Sequence, residues 1–227
     1  MYHGKRSTSL MKYSLLYIFF IVLTQNANSQ TAIDASSVLP LLDRVNLQMD
    51  MGNYQQALEI VNSIIEQGVS DVALEAELYW GKSFILFRIG NLQEALNNIL
   101  RSIELNAHDA DSYEHLAIIY TEMGLQLQAL QAINRAIELD SQILSFYSNR
   151  ALIYIRMHEF ERALKDVNYI LSINPRFANA LLAKASIFGN LGNFHDALLY
   201  ADMAISINST DSNFFSMRGG DTLRAQQ

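Results

Sequence analysis

The sequence has 227 residues, of which 50% are hydrophobic, and this share argues against an intrinsically disordered chain. It carries a formal net charge of −7, so nucleic acids and anionic membrane surfaces are poor partners for it. The chain contains no cysteine and only two prolines, which excludes disulfide bonds and favours helices over sheets.

The N-terminus has the pattern of an export signal. Lys5, Arg6 and Lys12 give the first residues a positive charge, and an uncharged apolar run, YSLLYIFFIVL, follows at 13–23. The small residues Ala27 and Ser29 predict cleavage before Gln30. The apolar run is about half as long as a membrane-spanning helix, so a cleaved signal is favoured over an uncleaved signal anchor. Met11 is an alternative initiator methionine, because a chain that begins there has the same pattern of an export signal.

Cleavage after residue 29 changes the charge of the chain. Residues 1–29 contain three cationic residues and no acidic one, so the formal charge moves from −7 to −10. Without a cysteine, no lipid can be attached to the new N-terminus through a thiol. The sequence therefore predicts an exported protein, periplasmic or secreted, with no stable membrane span after cleavage. Residues 30–37 are predicted to form a polar leader.

One short pattern recurs along the rest of the chain: a turn, an aromatic or apolar residue, and then Ala-Leu. It reads GNYQQAL, GNLQEAL, GLQLQAL, HEFERAL and GNFHDAL, with its alanines at Ala57, Ala95, Ala129, Ala163 and Ala197. The intervals from Ala95 onward are all equal, and the first interval is longer by four. Apolar residues at helical spacing flank each turn, which predicts a helical hairpin. Such a hairpin cannot bury its apolar faces alone and needs stacked copies on either side.

Five copies at this period resemble the tetratricopeptide repeat family, whose unit is a helix–turn–helix of about 34 residues. The resemblance runs from Val38 to about Asp211 and is most complete in the copy that ends near Pro175. It implies an all-α fold, a right-handed α-solenoid of about five repeats at 38–75, 76–109, 110–143, 144–177 and 178–211. The four extra residues of the first interval are expected in a longer exit loop around 67–70. Residues 212–227 are predicted to form a partial capping helix and a frayed tail.

The repeat residues themselves are interpreted as structural. The alanines are small where two helices cross, and the glycine before most second helices permits a turn with positive φ. His158 replaces that glycine in the fourth copy, and we expect it in an exposed turn.

No constellation in the sequence indicates catalysis. The GKS triplet at 81–83 resembles the end of a phosphate-binding loop, but it lacks the earlier glycine and lies in a predicted helix. The HEFER segment lacks the second histidine of a zinc protease motif. A polar cluster with His108, Asp111 and His115 is interpreted as loop and capping groups, with metal binding as the least favoured alternative. The sequence predicts no enzyme, no cofactor and no metal.

The resemblance implies a binding surface. In this family the first helices line a concave face that commonly receives a peptide or a partner's helix. Helical spacing selects the residues expected to face inward, which are Trp80, Phe84, Phe87, Arg88, Glu114, Ile118, Thr121, Glu122, Ser148, Asn149, Leu152, Ile155, Arg156, Leu182, Ser186 and Asn190. We name Trp80, Phe84 and Phe87 the aromatic stripe. The stripe is the strongest candidate for a binding patch, since aromatic residues supply large contact areas. The alternative is that the stripe packs against the first repeat.

Some proteins of this family hold a partner's C-terminal carboxylate with a set of side chains called a carboxylate clamp. The residues at the clamp positions of this sequence show whether it has one. FYSNRALIY resembles the central repeat of clamp-type proteins, and Asn149 matches the clamp asparagine. The neighbouring copies carry Glu114, Ile118, Asn179 and Ala183 where the clamp requires its other, mostly basic residues. The clamp is therefore predicted to be absent.

These patterns predict a non-catalytic, exported scaffold or adaptor that binds a protein or peptide partner in the concave groove. A structural or self-associating spacer within a cell-envelope assembly is the alternative.

Overall fold

The computed structural model describes residues 35–207, which form ten α-helices and no strand. The helices are α1 Ala35–Asp50, α2 Tyr54–Gln67, α3 Val72–Ile89, α4 Leu92–Leu105, α5 Ala110–Glu122, α6 Gln126–Leu139, α7 Leu144–Arg156, α8 Phe160–Ile173, α9 Ala178–Asn190 and α10 Phe194–Ile207. The predicted signal peptide and the predicted capping segment at 212–227 lie outside the described residues. Because α1 begins at Ala35, the last three residues of the predicted polar leader are helical.

The turns inside the hairpins have the backbone that the sequence predicts. Gly52, Gly90, Gly124 and Gly192 have φ between 76° and 91°, a left-handed region that a residue without Cβ enters at little cost. His158 has φ 59° at the matching position of the fourth hairpin and is exposed. Both predictions about these turns are confirmed.

The four extra residues of the first interval lie in α3 and not in a loop. This helix has 18 residues, whereas α5, α7 and α9 have 13 each, and the turn that follows it, 90–91, is one residue shorter than the turn at 123–125. The loop at 68–71 is as long as the equivalent loop at 106–109, so the longer exit loop predicted around 67–70 is wrong. The Asp71 carboxylate caps the start of α3 by accepting a hydrogen bond from the Ala73 N–H at 2.9 Å. The first predicted repeat consequently ends inside α3.

The chain divides into two compact units, one ending at Met123 and the other beginning at Gly124. The first unit contains α1–α5, and its core includes an apolar cluster of Val38, Leu42, Ile64, Leu74 and Leu78 and another of Val45, Ala57, Val61 and Ile85. The second unit contains α6–α10, and its largest cluster consists of Ala151, Ala163, Val167, Ile170, Ala180, Ala183 and Ile187.

The repeat alanines occupy the tightest positions of the helix packing. All five have no exposed surface. A larger side chain there would force the packed helices apart, which costs about 1–3 kcal/mol in an already filled core. Their recurrence is therefore a packing requirement.

One largely buried arginine joins three helices of the second unit. Arg150 on α7 makes a two-pronged contact with the Asp166 carboxylate on α8, at 2.8 and 2.7 Å. Its third nitrogen donates to the Asn134 side chain on α6 at 2.9 Å. The Asp166 side chain is only 7% exposed, so its charge depends on this partner.

A weaker version of the contact recurs one repeat later. Lys184 occupies the repeat position of Arg150, and its ammonium donates to the Asn168 side chain at 3.1 Å. The same ammonium lies 4.7 Å from the ring centre of Tyr200, which occupies the repeat position of Asp166. An aromatic face thus replaces the carboxylate as the partner of the cation.

Replacing Arg150 with alanine should leave the Asp166 carboxylate buried without its counter-ion. Breaking a buried pair in this way costs about 3 kcal/mol or more, so the free energy of unfolding in urea should fall by about that amount. The matched control is Arg162→Ala, because the Arg162–Glu159 pair at 2.8 Å is largely exposed. That control should lose less than about 1 kcal/mol. Equal losses in the two variants would contradict the role assigned to the buried pair.

Candidate functional site

The aromatic stripe lies on one face of α3, where its i, i+4 and i+7 spacing places it. The rings of Trp80 and Phe84 are stacked, with centroids 5.5 Å apart and planes 11° from parallel. All three stripe rings contact one residue of α5, His115, with centroid distances of 5.2, 5.9 and 5.7 Å. We name the stripe together with His115 the aromatic cluster.

His115 is the most buried member of the aromatic cluster, with 4% of its surface exposed. Burial lowers the pKa of its imidazole to about 4, and a hydrogen bond with the Ser83 backbone opposes that shift only in part. The Nε2 atom is buried and makes no hydrogen bond within the described residues. His115 is therefore a neutral ring near pH 7 and acts as an aromatic packing partner.

Arg88, beside the stripe on α3, lies between Phe84 and the first repeat. The Arg88 guanidinium lies 4.9 Å from the ring centre of Tyr54 on α2 and 5.9 Å from that of Phe84. Such cation–π contacts orient the arginine along the ring faces. The stripe thus has neighbours on both sides, while Trp80, Phe84 and Phe87 each keep part of their surface exposed.

A buried serine on α3, the helix that carries the stripe, forms a hydrogen bond with the neighbouring helix α4. Ser83 Oγ donates to the Ala95 carbonyl of α4 at 2.7 Å. This places the GKS triplet within a packed helix, as the sequence predicts, and gives its serine a structural partner.

The other predicted site residues fall into two sets. Glu114, Ile118, Thr121 and Glu122 lie on α5, in the same unit as the stripe, and Glu122 is the most exposed of them. Asn149, Leu152 and Arg156 lie on α7 of the second unit, where Arg156 is exposed and Asn149 is only 4% exposed. A groove that uses both sets stays a prediction.

Sequence reasoning missed the role of His115. It placed this residue among loop and capping groups, with metal binding as the least favoured alternative, yet His115 and Asn149 stand at equivalent positions of successive repeats, and both are 4% exposed. This repeat position is therefore a buried polar site. Alignment of the repeats could have indicated that His115 is buried. His108 is exposed, and within residues 35–207 no group of three or more His, Asp or Glu side chains is placed to hold a metal.

Family models of the tetratricopeptide repeat match residues 42–102 and 110–143. No curated protein matches the sequence at a significant level. Among the described helices, none combines the length and the apolar character that crossing a membrane requires.

Several solved structures are similar in fold. A thermophilic TPR protein of Thermus thermophilus has a TM-score of 0.69 at 17% identity, covering 82% of this chain and 98% of its own. A tetratricopeptide repeat protein of Parabacteroides merdae ATCC 43184 has a TM-score of 0.68 at 22% identity, covering 85% of this chain and 75% of its own. YrrB, a TPR protein with an unusual peptide-binding site, has a TM-score of 0.57 at 18% identity, covering 80% of this chain and 92% of its own.

At these identities the structural likeness establishes the fold and not the activity. Together with the family-model matches, it shows that this chain contains tetratricopeptide repeats. The predicted fold class, an all-α solenoid of such repeats, is confirmed.

The buried His115 should make stability depend on pH. Its pKa is about 4 in the folded protein and returns to about 6.5 on unfolding, so the unfolded chain binds more protons between these values. This contribution is complete above about pH 6.5 and is lost as the pH falls towards about 4. Between about pH 7.5 and about pH 5 the free energy of unfolding should fall by about 2 kcal/mol from this site alone.

Urea denaturation across that pH range measures the effect. His115→Gln should flatten the pH dependence by about the stated 2 kcal/mol, whereas His108→Gln, which changes an exposed histidine, should leave it as in the wild type. Identical pH profiles for the wild type and His115→Gln would show that His115 is not held neutral by the fold.

Proposed function

We propose that this chain is a non-catalytic, exported adaptor that binds a polypeptide partner on the first-helix face of its first unit. The observation that carries the proposal is the aromatic cluster, in which three partly exposed rings of α3 contact a buried ring of α5.

Pre-organisation supports a binding role for the cluster. Trp80 and Phe84 are stacked, and His115 supports both rings from the side. Aromatic side chains that are already fixed lose little conformational entropy when a partner arrives, so more of the contact energy appears as affinity. Tryptophan and tyrosine are enriched at binding hot spots, and a partly exposed tryptophan beside two supporting rings fits that role.

The fold gives independent support. Stacked helical hairpins present a continuous face of first helices, which is a common place for peptide binding in repeat proteins. YrrB, whose fold is similar, is a TPR protein with an unusual peptide-binding site, and we extend only the general role of peptide binding to this chain. The absence of a metal-ligand cluster among residues 35–207 is compatible with an adaptor, and the proposal does not depend on it.

Partner capture tests the use of the cluster. The double variant Trp80→Ala, Phe84→Ala removes the stacked pair, so cross-linking of a partner from envelope extract should fall at least about tenfold, as expected when a binding hot spot is lost. The matched control is Phe188→Ala, Tyr200→Ala, because those rings form a similar stacked pair in the second unit, 5.6 Å apart at 9°. Both variants must retain wild-type helical circular dichroism. Undiminished capture by the first variant would overturn the assignment of the site.

Export is tested separately. Expressed with its own N-terminus in a Gram-negative host, the protein should be recovered from the periplasm with the mass of a chain that begins at Gln30. Ala27→Phe should block cleavage, because signal peptidase requires small residues near the cut. Recovery of the uncleaved wild-type chain in the cytosol would contradict export.

A further inference from the structure

Successive hairpins contact each other through residues at fixed positions of the repeat. The Asn134 side chain of α6 accepts a hydrogen bond from Arg150 of α7 at 2.9 Å, and Asn168 of α8 accepts one from Lys184 of α9 at 3.1 Å. In both contacts the cation follows the asparagine by 16 positions. We name two residues in this relation a polar pair. Each polar pair joins the second helix of one hairpin to the first helix of the next.

A second contact of the same kind has a separation of 10 positions. Ser102 Oγ of α4 lies 3.3 Å from Ser112 Oγ of α5, and we name two residues in this relation a packing pair. The two packing pairs that follow along the array each join a small side chain to a large one, and all four residues have no exposed surface: Ala136 with Phe146, and Ile170 with Ala180. The size of one member therefore compensates for the size of the other, as a close-packed junction requires.

The residues that follow α10 continue both relations. Arg218 stands 16 positions after Asp202 of α10, and Phe214 stands 10 positions after Ala204 of the same helix. The polar pair thus becomes a carboxylate with a guanidinium, the strongest form of such a contact. The packing pair again joins a small buried side chain, since Ala204 has no exposed surface, to a large one. Both pairs of this junction are complementary.

The glycines at 219–220 also agree with this register. Each first helix from α3 onward has a small, buried residue at one shared position, and these residues are Ser83, Ala117, Ala151 and Ala185. Gly219 stands at that position of the next copy. A glycine weakens an isolated helix, but here it meets the requirement of the position for a small side chain.

We propose that residues 212–224 form the first helix of a sixth repeat and dock on α10. The Arg218 guanidinium contacts the Asp202 carboxylate, and the Phe214 ring covers Ala204. The segment is thus more than the partial cap that the sequence pattern predicts, because it repeats the contacts that α7 and α9 make with the helices before them. This face of α10 is then occupied by the protein's own chain and is closed to a second copy.

Hydrogen exchange of the full-length protein tests for the helix without any substitution. Amides between residues 215 and 224 should exchange at least about tenfold more slowly than in an unstructured chain, because a packed helix protects its N–H groups. Exchange at the unstructured rate throughout this segment would overturn the proposal.

Cysteine cross-linking tests the docking register, and the chain has no cysteine of its own to interfere. Ala204→Cys with Phe214→Cys should form a disulfide on mild oxidation, as should the reference pair Ser102→Cys with Ser112→Cys. The matched control is Ala204→Cys with Ser216→Cys, because a side chain two residues further along a helix points to another side. That control should cross-link at least about tenfold more slowly. Equal rates for the two pairs that contain Ala204→Cys would overturn the proposed docking.

A charge exchange tests the polar pair. Arg218→Glu brings two carboxylates together, so hydrogen exchange in residues 212–224 should become at least about threefold faster, and adding Asp202→Arg should restore the slower rate. The matched control is Arg224→Glu, which stands at the repeat position of the exposed residues Glu122 and Arg156 and should change the rate less. A rate that Asp202→Arg does not restore would overturn the contact assigned to Arg218.

Discussion

A helical hairpin of this size cannot bury its own apolar side, and the whole chain is organised by that constraint. Each hairpin must bury its apolar face against neighbouring helices. The fully buried repeat alanines serve this packing, because their small side chains let one helix cross another closely. The turns then need a left-handed residue to reverse the chain within a few positions, and glycine supplies it at four of the five hairpins. Packing thus fixes both the period of the sequence and the residues that its copies share.

The same constraint explains what the sequence could predict. Helical spacing, the alanine period and the turn residues all follow from one repeated packing problem, so the all-α fold and the backbone of the turns were predictable. The length of α3 was not, because the interval between repeat alanines does not show whether added residues extend a helix or a loop. The surroundings of His115 depend on three rings of another helix, and spacing along one helix does not report contacts between helices. Comparison of equivalent repeat positions would have identified His115 as buried.

In the role proposed for it, the aromatic cluster would serve stability and binding together. Its buried member, His115, contacts the three partly exposed rings, and its neutral state at neutral pH avoids a buried charge. Rings held by such contacts have little conformational freedom left to lose when a partner binds. A site of this type differs from a loop that orders on binding, because its conformational cost is met when the protein folds.

The polar contacts of the fourth repeat have an evolutionary consequence. Arg150 contacts Asn134, which belongs to the preceding hairpin, and the fourth hairpin carries an asparagine of its own at the same position, Asn168. A tandem duplication of residues 144–177 would therefore present the new arginine with the asparagine it requires, and each copy would bring its own Asp166. By the register of the repeats, the array can lengthen at this point without leaving a buried charge unmatched. The fourth repeat is a unit from which longer relatives could arise by simple gene duplication.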